Sequence, residues 1–69
     1  MMTRIGDLKK GDIFFCKRDN RWYQHRGDFD RHPDICIHAL QLRRNGQSSG
    51  NCYILHKSDP VRADFGYRG

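Results

Sequence analysis

Turn-forming residues interrupt this chain so often that no segment between them can hold more than a short strand or a helical turn. Gly11-Asp12, Asp19-Asn20, the stretch 27–34 with its Gly, Asp and Pro, Asn45-Gly46 and Ser58-Asp59-Pro60 are the breaks. Each favours a tight turn or loop for its own stereochemical reason. Between them, 13–16, 21–26, 34–42, 52–56 and 61–65 read as five short strands. Helix has no comparable claim. The chain has no Glu and only two Ala, against five Ile, four Phe, three Tyr and one Trp. The best helix formers are scarce and strand formers are common.

Five short strands in 69 residues cannot make two packed sheets. So short a chain also buries only ~60% of the surface it exposes when unfolded. A single small barrel answers both the thin core and the exposed strand edges. The expected fold is therefore all-β: one SH3-like barrel of about five antiparallel strands over residues 1–69, with little or no helix and a frayed tail at 66–69. Residues 1–10 read as a lead-in, with Leu8 plugging a tight turn and Gly11 at positive φ. The expected core is Leu8, Ile13, Phe15, Trp22, Ile37, Leu40, Leu42, Tyr53, Leu55 and Val61. The expected register of 34–42 on 52–56 places Leu40 and Leu42 on the face of Tyr53 and Leu55.

Thirteen Lys and Arg against eight Asp give a formal charge of +5, and most of the cations are Arg. Arg offers a planar fork suited to phosphates and aromatic faces. A small basic domain attracts polyanions through its long-range field. The first ten residues lack a signal-peptide core, and no stretch approaches the ~20 apolar residues of a membrane span. Three cysteines at irregular spacing argue against a disulfide framework and for the reducing cytoplasm. No membrane partner is expected, nor a small-molecule ligand, which needs a cleft in a larger scaffold.

The segment Leu8-Lys9-Lys10-Gly11-Asp12-Ile13-Phe14 resembles the Leu-Lys-x-Gly-Asp-x-Phe opening common in small SH3-like barrel proteins of phages and prophages. The later order is also similar. An alternating strand (Ile35, Ile37, Ala39, then Leu40 and Leu42) leads to a Gly-containing hairpin, an aromatic strand (Tyr53-Ile54-Leu55), a polar turn and a closing Val61. The resemblance spans residues 5–63. It implies the barrel, and an accessory factor that binds host or phage macromolecules in the cytoplasm of a host bacterium. Some phage proteins of this size inhibit host defences, CRISPR systems included. That implies an alternative, a protein-directed inhibitor, with the charged loop 27–34 as its contact surface. Gly11-Asp12-Ile13 and Arg31-His32-Pro33 are also similar to elements of MazF-like endoribonuclease toxins. This implies a second alternative, a small ribonuclease, although His32 is an insertion in the pattern and the family's later segments are missing.

The residues themselves offer one binding constellation. In Arg21-Trp22-Tyr23-Gln24-His25-Arg26, aromatics lie between cations, as on surfaces where bases stack while Arg neutralises phosphate. Trp22 and Tyr23 have opposite parity, so one of them faces outward. Arg18 and Arg21 flank one hairpin tip, and Arg43 and Arg44 enter another. The candidate site for a nucleic acid or a nucleic-acid-associated protein is thus Arg18, Arg21, Trp22, Tyr23, Arg26, Arg43 and Arg44. Cys36, His38, Cys52 and His56 are the candidate zinc ligands, and they lack the knuckle spacing of zinc sites. Asp28, Asp30, His32 and Asp34 crowd one loop as in a metal-dependent nuclease, but alternating carboxylates there read as turn formers. No cofactor is implied. No Ser-His-Asp order, paired Glu or phosphate-cradling Gly loop is present, so a non-enzymatic role is expected.

Overall fold

The computed structural model describes residues 3–63. The fold is all-β, with six antiparallel strands: β1 (Thr3–Arg4), β2 (Ile13–Cys16), β3 (Arg21–Asp28), β4 (Cys36–Leu42), β5 (Ser48–His56) and β6 (Pro60–Ala63). They form one sheet in the order β1-β6-β2-β3-β4-β5. The only helical element among the described residues is a 3₁₀ turn at Ile5–Asp7. The Arg4 N–H donates to the Asp7 carboxylate across this turn at 3.0 Å.

Strand order and loop length together force the sheet to curl. β5 and β6 are four places apart in the order, which would separate them by roughly 19 Å in a flat sheet. Yet β5 ends at His56 and β6 starts at Pro60, a link that reaches ~14 Å at most. The sheet must bend until its two ends meet. Backbone bonds fasten the junction: Ile5 N–H to the Asp59 carbonyl (3.1 Å), Gly6 N–H to the Lys57 carbonyl (2.9 Å) and Lys57 N–H to the Ile35 carbonyl (2.8 Å). The result is a small SH3-like barrel whose strand ladder stays open between β5 and β1.

Two irregularities assist the bend. The β3–β4 register shifts between His25 and Asp28, where Gly27 has φ +113°. That conformation is costly for any residue with a Cβ, and it marks a bulge that increases local twist. The β4–β5 register shifts between Leu40 and Leu42. Gly11 (φ +98°) and Asn20 (φ +59°) take the left-handed conformation expected at their turns.

The core consists of Ile5, Phe14, Cys16, Tyr23, Ile37, Ala39 and Val61, with Leu8 and Leu55 packed against it. Ile37, Val61, Leu8 and Leu55 thus hold their expected places. The parity of β2 and β3 is the reverse of the expectation: Phe14 and Tyr23 face inward, and Phe15 and Trp22 lie on the outer face, half-buried. Four consecutive apolar residues in β2 and two adjacent aromatics in β3 leave alternation undefined. Tyr23 prevails because its hydroxyl donates to Asp19 Oδ2 at 2.7 Å, so the phenol is satisfied where it is only 1% exposed. Ile13 follows Phe15 outward.

The β4–β5 register also differs from the expectation. Leu40 opposes Cys52 and His38 opposes Ile54, whereas Tyr53 and Leu55 oppose Ala39 and Ile37 on the inner face. Leu40 is therefore outside. Tyr53 sits at the rim, edge-on to Tyr23 at 6.0 Å. The lead-in is structural too, since it supplies β1 and the fully buried Ile5. β5 begins four residues earlier than expected. β6 ends at Ala63; Asp64, Phe65 and the tail at 66–69 lie outside the described residues.

Phe14→Ala is expected to cost ~3–5 kcal/mol through the cavity it leaves, enough to remove most of the stability of so small a domain. Phe15→Ala should cost clearly less. Thermal denaturation of both variants checks the inverted parity. His25 supplies a second test. It is 5% exposed, its Nδ1 accepts the Gly27 N–H at 3.1 Å, and burial lowers its pKa below the ordinary 6.5 despite the opposing pull of Asp28 and Asp12. The unfolded chain therefore binds this proton first, and stability falls as pH drops from about 6.5 toward the lowered value. His25→Gln should show a shallower loss between pH 7.5 and 5.5 in urea denaturation. An unchanged slope would contradict the assignment.

Candidate functional site

On the outer face, one transverse row crosses four strands. Register pairs Arg62 of β6 with Phe15 of β2, Phe15 with Trp22 of β3, and Trp22 with Leu42 of β4. The Phe15 and Trp22 rings meet edge-to-face, with centroids 5.4 Å apart and planes at 64°. The Arg62 guanidinium lies over both, 5.3 Å from the Phe15 centroid and 5.8 Å from that of Trp22. Such contacts contribute roughly 0.5–1 kcal/mol where solvent reaches them. Leu42, the β4 member of this row, is the one outer-face residue among those described that is buried.

Beside the row lies an open depression of about 410 Å³, lined by Phe15, Asn20, Arg21, Trp22, Gln41, Leu42, Arg43 and Arg44. The lining contains an aromatic pair and three Arg but no carboxylate. Two hairpins create it. The β2–β3 turn brings in Asn20 and Arg21, and the β4–β5 turn brings in Arg43 and Arg44. The second turn is held by the Arg43 N–H to Gln47 carbonyl bond (2.8 Å) and by Gly46 N–H to the Arg43 carbonyl (2.9 Å). Gln47 N–H also donates to Asn45 Oδ1 at 3.0 Å. A second depression, about 320 Å³, is lined by Lys10, His25, Asp28 and Lys57 among others. There Asp28 already pairs with Lys57 at 3.1 Å, so its lining is of mixed sign.

Four of the sequence-derived residues thus converge: Arg21, Trp22, Arg43 and Arg44. Three do not. Tyr23 is inside, and burial together with the Asp19 carboxylate raises its pKa well above the usual phenol range. Arg18 leans away to Asp59, at 3.4 Å. Arg26 is exposed beyond the site, toward the other end of β3. Phe15 and Arg62 were missed. Four consecutive apolar residues in β2 make Phe15 read as core, and Arg62 stands far off in sequence, so only the β2–β6 pairing reveals it.

Cys36, His38, Cys52 and His56 share the outer face of β4 and β5. Cys36 opposes His56, but His38 and Cys52 oppose Ile54 and Leu40. Among the described residues no group of three or more His, Cys or Asp is placed to hold a metal. His38 instead meets Phe29 edge-on at 5.2 Å, and His56 Nδ1 lies 2.7 Å from Ser58 Oγ. No described helix is long and apolar enough to cross a membrane.

Comparison with protein-family models, with curated proteins and with solved structures gives no match.

Trp22 is the only Trp of the chain, so its fluorescence reports this site alone. Arg62→Ala uncovers the ring, and acrylamide should quench the variant about twofold more efficiently if the cation–π contact persists in solution. Equal quenching of variant and parent would show that the guanidinium does not shield the rings.

Proposed function

We propose that this chain is a non-enzymatic binding protein that engages single-stranded nucleic acid through its outer aromatic face. The observation that carries the proposal is the juxtaposition of Phe15 and Trp22 with Arg21, Arg43, Arg44 and Arg62 around a carboxylate-free depression. Rings of this kind accept unstacked bases, each contributing ~1–3 kcal/mol, while the guanidinium groups neutralise phosphate. A duplex hides its base faces and leaves only the phosphate contacts, so single strands are preferred. The net charge of +5 adds steering toward any polyanion. An accessory role of the phage type, implied by the opening motif, accords with a small binding module.

Fluorescence anisotropy with labelled ~15-nucleotide single strands and the matching duplex, at ~50 and ~300 mM salt, tests the reading. Binding should be tighter to the single strand and should weaken steeply with salt. Trp22→Ala should lose about tenfold or more. Arg26→Ala, outside the depression, should lose far less than Arg21→Ala or Arg43→Ala. Absence of binding at low salt, or full affinity in Trp22→Ala, would overturn the proposal. A partner retained from lysate after nuclease treatment, with no oligonucleotide binding, would favour the protein-directed alternative instead. Cleavage of RNA by stoichiometric protein would favour the ribonuclease.

A further inference from the structure

β5 is the longest strand and the outermost on its side of the sheet, and among the described residues no strand pairs with its free edge. Exposed edges are templates for strand addition, and proteins usually blunt them with charge, Pro or brevity. β5 uses none of these. The uncharged stretch 45–56, which contains it, is the longest in this basic chain. The large hydrophobics most exposed among the described residues also gather here. Ile54 (46%) and Tyr53 (37%) lie on β5, and Ile35 (46%) lies beside its end.

Hydrogen-bond parity identifies the groups that the edge presents. The Lys57 N–H donates to Ile35, and Cys36 opposes His56. In an antiparallel ladder, this directs the backbone groups of Tyr53 and Leu55 toward β4, and those of Cys52 and Ile54 and the N–H of His56 outward. The His56 carbonyl accepts the Asp59 N–H at 3.1 Å. Upstream, the Ser48 and Ser49 hydroxyls already accept the N–H groups of Gly50 and Asn51. The available edge is thus 52–56.

We infer that this edge is the interface for a second copy of the same chain, paired antiparallel about a two-fold axis at Ile54. In that register the two Ile54 residues exchange both backbone bonds, and each His56 N–H donates to the other copy's Cys52 carbonyl. Ile54 packs on Ile54, Cys52 faces His56, and Tyr53 faces Leu55, so the strand complements itself. Charge selects the same occupant. Two copies that each carry +5 can approach along a strand without a cation, and no Lys or Arg opposes another within the pairing. The axis is perpendicular to the sheet, so both outer faces look to the same side. The inference stands apart from the nucleic-acid reading.

Sedimentation equilibrium from ~1 to ~200 µM, on nuclease-treated protein in high salt, is the test. The mass should rise reversibly from 8.2 kDa toward twice that value. Ile54→Lys should weaken association about 100-fold or more while circular dichroism shows an unchanged fold, because this side chain lies outside the core. In a Cys36→Ser, Cys52→Ser background, Ile54→Cys should cross-link to dimer with a short bis-maleimide, and Ser49→Cys in the same background should not. Parent protein that stays monomeric throughout, or Ile54→Lys that associates as strongly as the parent, would overturn the inference. So would equal cross-linking at positions 49 and 54.

Discussion

Everything in this fold depends on a short link between strands that the sheet order holds far apart. Lys57, Ser58 and Asp59 join β5 to β6, and no flat sheet can meet that demand. The curl it imposes gives the sheet an inside and an outside. Ile5 is drawn over the open end by the bonds from Ile5 and Gly6 to the carbonyls of Asp59 and Lys57. It thereby becomes fully buried, although it belongs to the first few residues of the chain. A chain of this size has little apolar surface to hide.

The same short strands serve both faces. β2 contributes Phe14 and Cys16 to the core and Phe15 to the outer row. β3 contributes Tyr23 and His25 inward and Trp22 outward. Alternation in a strand makes this division compulsory. The outer rings are therefore fixed by the inner ones: Phe14 stacks on Tyr23 at 5.8 Å across the same strand pair that carries Phe15 and Trp22. Rigidity of the core passes directly to the outer face, and a pre-ordered platform loses less entropy on binding.

Much of this was legible in the sequence. Turn residues marked the hairpins, and the missing helix formers marked the class. What the sequence could not resolve was parity. Ile13-Phe14-Phe15-Cys16 is apolar at every position, and Trp22-Tyr23 offers two aromatics in a row. Which of each pair turns inward depends on partners that alternation does not show: on Asp19, across the β2–β3 turn, for the Tyr23 hydroxyl, and on the small Ala39 opposite His25. The β4–β5 register was hidden for a related reason: β5 carries large apolar side chains on both faces, Tyr53 and Leu55 on one and Ile54 on the other, so alternation does not choose between them. Of the site, the Arg pairs at the hairpin tips were visible. Arg62 was not, because β6 lies far from β2 in sequence and only their pairing in the sheet brings it to Phe15.

The guanidinium over Phe15 and Trp22 gives the outer face two conditions rather than one. Arg62 lies over both half-buried rings, so a cation that water solvates well occupies their exposed side. On the proposed function, a base stacking where Arg62 now lies would have to exchange places with it. The displaced guanidinium would then be free to pair with that ligand's phosphate. Occupancy on this reading is a substitution reaction, in which an internal placeholder is traded for an external guest. Selectivity would enter through the trade, favouring a guest that brings both a flat face and an anion.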